Sequence, residues 1–231
     1  MTKFKTYINE VFDFDTDTDR SFASSELDKM SYNVIMKMIP KISSKCRPFL
    51  QAVKSCKNKA LWRGVTGSKN IVIYKTIRTD RKPLMSKVKI QKEWDKLFME
   101  TYGWKPRSEG LFVTGDIDMT SGYGDNHYIV FPVGPIQYLW SPTIADLFTY
   151  WNEPIERKEE IVKNEYRDKL ICNALQDGAE IMIKSKGYYG IRSSALVNFL
   201  KGSGNGRAEG LSHYNDDKQK AGDIFIEDYL L

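Results

Sequence analysis

Three short apolar runs each carry one polar group capable of chemistry. Leu61-Trp62-Arg63-Gly64 holds an arginine, Leu111-Phe112-Val113-Thr114 ends on a hydroxyl followed by Gly115, and Glu180-Ile181-Met182-Ile183 opens on a carboxylate. A charge in an apolar strand is costly unless it is paired or used. Arginine forks onto phosphate or carboxylate. A fixed carboxylate offsets the oxocarbenium cation through which glycosidic cleavage passes, and a hydroxyl, donor and acceptor at once, can orient that carboxylate. Such a trio can hold a dinucleotide and labilise its glycosidic bond. Each residue also has a plainer use: Arg63 in an ion pair bracing the sheet, Thr114 satisfied by backbone, Glu180 in a salt bridge at a strand end.

Nearby residues extend the same chemistry. Strand alternation turns Arg63 away from Trp62, and Gly64 lets a ligand come close to the backbone. Arg78 and Arg81, just ahead of Pro83, place two cations that either meet a diphosphate or form a solvated turn. Tyr123, flanked by Gly122 and Gly124, offers a ring to a nicotinamide or adenine, or else packs in the core. His127 and His213 are the only histidines, and no Ser or Cys nucleophile has recognisable flanking sequence, which argues against a hydrolase triad. Trp140 and Trp151 read as core or interface residues.

Other motifs read as plain structure. Asp15, Asp17, Asp19 and Glu26 have the spacing of a calcium loop, but Arg20 stands where glycine is needed, so the segment reads as a solvated acidic turn. Cys46, Cys56 and Cys172 are odd in number and fit no metal spacing. They read as idle thiols in a reducing compartment, and no metal is expected. The glycine-rich residues 201–210 follow a helical pattern and lack the lysine–hydroxyl pair of a phosphate loop, so they read as a mobile surface loop.

The elements that position the trio follow from period and punctuation. Residues 1–60 read as an N-terminal helical lobe. One helix starts near Ser24 or Ser25, buries Leu27, Met30, Val34 and Met38, and ends at Pro40; a second runs from Pro48 to Lys54. From residue 61 to 231 a mixed, β-rich core follows, with strands at 61–65, 71–77, 111–114, 128–133, 136–140, 180–184, 187–191 and 224–229. Helices are predicted near 88–101, at 143–150, and over a charged 156–176 with Val162, Tyr166, Leu170 and Ala174 on one face. Strands clustered after helices point to an α+β fold. The 231 residues suffice for a substantial core, and 35 basic against 30 acidic residues leave +5. That excess suits a phosphate-bearing ligand without being the signature of a dedicated nucleic-acid binder. No apolar run is long enough to span a bilayer, so a soluble, cytosolic protein without a membrane partner is expected.

In order and strand context the three motifs resemble the Arg–Ser/Thr–Glu class of mono-ADP-ribosyltransferases, with 51 residues from Arg63 to Thr114 and 66 more to Glu180. The intervening Arg-x-x-Arg-x-Pro, Tyr-Gly…Ile-Val-Phe-Pro-Val-Gly and Trp-Ser-Pro segments are similar to those of uncharacterised bacteriophage proteins, and the likeness spans about residues 45–192. The resemblance implies a pair of small packed β-sheets with a helical lobe and NAD, as substrate, in the cleft between them. By it, Arg63 anchors the NAD ribose and phosphate, Thr114 positions Glu180, and Glu180 is the catalytic glutamate. Gly64, Phe112, Tyr123, Arg78 and Arg81 complete the expected NAD-binding set. It further implies transfer of ADP-ribose to a host macromolecule, a protein rather than a nucleic acid, during host takeover in the host cytoplasm, with carriage inside a virion left open.

Two departures keep other readings open. Thr114-Gly115-Asp116 stands where the family has Ser-Thr-Ser, and Gly178 stands two residues before Glu180, where arginine-modifying members carry Glu or Gln. A catalytically inactive relative serving as a structural or host-binding module is one alternative. A nucleic-acid-directed modifier or binder is another.

Overall fold

Strand alternation in the middle of the chain decides which face of the sheet meets which core. The computed structural model describes residues 19–56, 59–81 and 88–231, with residues 19–29 as backbone alone. The strands are β1 (Trp62–Val65), β2 (Val72–Thr76), β3 (Leu111–Thr114), β4 (Asn126–Pro132), β5 (Gln137–Trp140), β6 (Glu180–Lys184) and β7 (Gly187–Arg192). They form one antiparallel sheet in the order β2-β7-β4-β1-β3-β6-β5. The architecture is thus α+β as expected, but with a single seven-stranded sheet in place of two packed sheets. The expected division survives only as a narrow seam: β1 and β3 meet through one register pair, Trp62 with Thr114, joining a four-stranded to a three-stranded ladder.

In the smaller ladder, Phe112, Met182 and Leu139 fall in register across β3, β6 and β5, and Val113, Ile181 and Trp140 form the next row. The first row enters a smaller core with Trp94, Phe98, Trp151 and Tyr166; the second enters the larger core. The smaller core is supplied by α3 (Val88–Tyr102) and α5 (Ile155–Asn164). Its rings stack on one another: Phe98 meets Tyr166 edge-on at 4.9 Å, and Trp94 lies 6.4 Å from Trp151. Aromatic pairs of this kind add about 0.5–1.5 kcal/mol each beyond the area they bury.

The N-terminal helices belong to the larger core. In α1 (Asp19–Lys45) Ile35 and Ile42 are fully buried, and in α2 (Arg47–Lys54) so are Phe49 and Val53, beside Trp62 and Phe131 of the sheet. The buried line of α1 runs through Ser31, Ile35 and Ile42, one position round from the predicted face; Val34 and Met38 are half-buried beside it. Nor does Pro40 end α1, which continues to Lys45. Proline cannot donate to the Met36 carbonyl, but Met36 and Pro40 both lie on the solvent side, where water can satisfy it, while Ile42 anchors the next turn.

Four further expectations are corrected. Residues 224–229 are not a strand: beyond α7 (Ser193–Gly202), α8 (Asn215–Phe225) runs directly into a π-helical turn, Ile226–Leu230, with Ala221, Ile224, Phe225 and Leu230 inward at helical spacing. The charged helix at 156–176 is two, α5 and α6 (Ile171–Gln176), broken where Arg167 leaves the helix to pair with Trp140 and Leu170 turns left-handed. Trp140 Nε1 donates to the Lys169 carbonyl across that break at 2.7 Å. Finally, Cys56 and Cys172 are not idle thiols but a disulfide joining the end of α2 to α6, leaving Cys46 free and buried. Cys46 feels that burial, which pushes its thiol up to about 12. The predicted short helix at 143–150 narrows to a 3-10 turn, Leu147–Tyr150, capped by Asp146. The acidic residues Asp15 and Asp17 lie outside the described residues, and among the described ones no His, Cys, Asp and Glu cluster could hold a metal. No helix among them is long and apolar enough to cross a membrane.

Candidate active site

The order β1-β3-β6 places the three sequence motifs on adjacent strands. Trp62 pairs with Thr114, and Thr114 pairs with Glu180, so Arg63, Thr114 and Glu180 come together although they are far apart in sequence. All three line one cleft of about 520 Å³. Gly64, Phe112, Tyr123 and Arg81 also line it. Arg78 does not; it lies in an adjoining recess of about 360 Å³ that shares Arg63 and Arg81 with the cleft and adds Lys75. Residues 201–210 line neither.

Glu180 opens β6, one residue before the strand becomes fully buried, and its side chain is 21% exposed. Each carboxylate oxygen has one partner. The Tyr123 hydroxyl donates to Oε2 at 3.2 Å, and Arg107 Nη1 lies 3.5 Å from Oε1. Burial raises the Glu180 pKa above the usual carboxylate range, opposed chiefly by the Arg107 charge and then by the Tyr123 hydrogen bond. Burial, and after it the Glu180 charge and hydrogen bond, drive the Tyr123 phenol up to about 12.

Thr114 does not touch Glu180 through its hydroxyl, contrary to the expected direct orientation. Its Oγ1 donates to the Gly178 carbonyl at 2.8 Å and accepts from the Asp116 amide at 3.1 Å. It therefore fixes the turn that leads into Glu180 rather than the carboxylate. Around it the backbones interlock. A Cβ on Gly115 would collide with the Leu175 carbonyl at the end of α6, and Gly178, at φ +65°, lies against Asp116. Gly115 is required for close packing and Gly178 for its left-handed conformation. The structure thus gives both departures from the family pattern a local cause.

Gly64 is also small for a reason other than a ligand. A Cβ there would meet the Thr120 carbonyl and the Gly124 amide, so the 3-10 turn Asp118–Tyr123 seats directly on β1. That seating carries Tyr123 to the cleft. His127, paired with Gly64 across the sheet, bonds the Thr120 hydroxyl through Nδ1, and that hydroxyl also donates to the Ile117 carbonyl.

Three arginines gather on Phe112. Arg63 Nη1 donates to the Phe112 carbonyl at 2.7 Å, while the guanidinium groups of Arg81 and Arg107 stand 4.3 and 4.8 Å from its ring centroid. Among the described residues, only Arg107 of the three forms a salt bridge, with Glu180. Burial lowers the Arg81 pKa, and the charges of Arg63 and Arg107 lower it further. The cleft therefore has positive charge in excess on one wall, which favours an anionic ligand there.

Arg107, which contacts Glu180, is the residue of this site that sequence reading missed. It sits in the single turn α4 (Pro106–Glu109), whose backbone is held by buried Asp95 of α3: Oδ1 accepts from Arg107 N at 2.9 Å, and the carboxylate also takes the Ser108 hydroxyl. Gln91, one turn earlier on α3, donates to the Arg81 carbonyl at 2.7 Å and to Ser108 Oγ at 3.1 Å. One small polar network thus sets both Arg81 and Arg107. The only local signal was two polar side chains, Gln91 and Asp95, on the buried face of an amphipathic helix. Comparison with protein-family models, with curated proteins and with solved structures finds no match to this chain.

Proposed function

We propose that the protein is an ADP-ribosyltransferase-like enzyme that cleaves NAD and passes ADP-ribose to a host macromolecule, a protein before a nucleic acid. One observation carries this reading: a half-buried carboxylate, Glu180, lines the same cleft as Arg63 and Arg81, which have no salt-bridge partner among the described residues. Arginines so placed suit a diphosphate. The carboxylate suits the cation that forms on a ribose as its bond to nicotinamide breaks. In that step the C1′–N bond breaks and its electron pair leaves with neutral nicotinamide. Attack by the acceptor on C1′ then forms the new bond, and the acceptor's proton is released. Gly178 presents no side chain to the cleft, so nothing at that position selects an arginine acceptor.

Nicotinamide release from NAD, with and without host lysate, tests the reading beside Glu180→Gln. That variant is expected to lose about a hundredfold or more in turnover while binding NAD within a few-fold of wild type. Label retained on lysate protein identifies a protein acceptor, and label on RNA or DNA identifies a nucleic acid. A wild-type protein that releases no nicotinamide in either condition overturns the catalytic reading in favour of a binding module.

A further inference from the structure

We infer that Arg107 is the positioning residue of the site: it holds Glu180 by Oε1, so that Oε2 is the oxygen presented to substrate and Tyr123 is the partner that gives way. The inference rests on Glu180 being the reactive carboxylate proposed above. Its support is the unequal way in which the two partners are held.

Arg107 is fixed on every side. Its guanidinium lies 4.8 Å from the Phe112 ring centroid and 5.5 Å from that of Trp151, and its side chain is 20% exposed. Its backbone amide is held by Asp95, itself 3% exposed. Phe112 and Trp151 in turn belong to the smaller core. Moving its guanidinium would break two cation–π contacts and an ion pair together, from a backbone that Asp95 already fixes. Tyr123 is held by less. It is 58% exposed, stands at the end of a 3-10 turn, and its described bond to Glu180 is 3.2 Å long. Swinging the phenol outward costs one exposed hydrogen bond, worth about 0.5–1.5 kcal/mol. A sugar hydroxyl donating to Oε2 replaces that bond in kind, and the displaced ring is left at the cleft rim, free to cover the ligand.

Charge gives Arg107 a second role. The groups acting on Glu180 are Arg107 from α4, Tyr123 from the 3-10 turn, Arg81 from the segment after β2, and Asp146 from the cap of the second 3-10 turn. Burial and Asp146 favour the protonated acid; Arg107, Tyr123 and Arg81 favour the carboxylate. Arg107 is the strongest of the three. Without it the Glu180 pKa rises, and a reaction needing the carboxylate is lost at a higher pH as the solution is acidified.

The test compares Arg107→Gln, Arg107→Lys and Tyr123→Phe, none of which alters the backbone cap on Asp95. The first readout is the titration of Glu180 in the ligand-free protein, followed by carboxyl-carbon NMR and assigned with Glu180→Gln. Arg107→Gln is expected to move the midpoint up and Arg107→Lys to restore most of it. The second is nicotinamide release against pH and NAD concentration. Arg107→Gln should lower kcat about a hundredfold, as a mispositioned catalytic group does, and carry the acid limb to higher pH. Tyr123→Phe should keep kcat within about threefold and change mainly KM. An unmoved Glu180 midpoint in folded Arg107→Gln overturns the inference, as does a Tyr123→Phe variant that loses kcat while Arg107→Gln keeps it. The NMR arm needs no turnover, so a wild type inert toward NAD removes the proposed reaction without deciding the hold of Arg107 on Glu180.

Discussion

Replacing Thr114 by valine keeps the shape of the side chain and removes only its hydroxyl. That hydroxyl donates to the Gly178 carbonyl and accepts from the Asp116 amide, in a residue 6% exposed. Valine strands an acceptor and a donor. Each buried group left unsatisfied costs about 1–3 kcal/mol, and because Asp116 is half-buried, water recovers part of the second. The expected loss is about 2–3 kcal/mol. In a chain of this size each kcal/mol lowers Tm by about 2–4 °C, so calorimetry should find a drop of about 4–12 °C. Thr114→Ser keeps both bonds and loses one methyl, worth about 0.8 kcal/mol. Nicotinamide release is then compared at a temperature where wild type and both variants are folded, and the valine variant should be the slower of the two. A valine variant as stable as wild type refutes the staple. Lost stability with turnover equal to that of the serine variant refutes the idea that the staple places Glu180.

Two other perturbations bear on the supports of the site. Cys172→Ser, or reduction of the wild type, opens a loop of 116 residues and should cost about 2–5 kcal/mol, read from the urea midpoint; an unchanged midpoint means the pair is not formed in solution. Gly178→Glu forces a side chain into a left-handed conformation, where the Cβ would lie 3.0 Å from Asp116 Cβ. It should destabilise by about 1–2 kcal/mol and place no ADP-ribose on polyarginine; efficient arginine transfer by this variant would show that the turn tolerates the family's acceptor residue.

Where sequence pattern equals local structure, the reading holds. Seven strands follow from alternation and β-branched content, because Phe112 and Met182 must face one core while Val113 and Ile181 face the other. Arg63, Thr114 and Glu180 were legible because each is a polar group in an apolar strand. The failures share a different cause. Ile224, Phe225 and Ile226 look like a strand when read alone, and only their packing on the larger core selects the helix. Tyr166 and Leu170 fit a helical face, yet the β5 edge competes for the backbone of Arg167 between them and wins it. The Cys56–Cys172 pair, the single sheet joined at Trp62–Thr114, and the hold of Arg107 on Glu180 are contacts between distant segments with no periodic trace.

The two positions that depart from the family pattern form one unit. Gly115 must be small because the Leu175 carbonyl closes on it; that contact sets where α6 ends; Gly178 reverses the chain there and rests on Asp116, while Thr114 holds its carbonyl. A side chain placed at Gly115 or Gly178 would disturb a contact made by the others. An acidic residue at 178 then comes at a cost in stability, and the turn that carries Glu180 is specified by backbone fit instead of by a side chain reaching the acceptor. If the protein transfers ADP-ribose, the choice of acceptor falls to the cleft rim. There Met119 and Tyr123, 55% and 58% exposed, stand on the 3-10 turn that Gly64 and Gly124 seat against β1. Catalysis and acceptor choice would then reside on separate elements, the first locked into the sheet and the second carried by a turn that can change its side chains without moving Glu180.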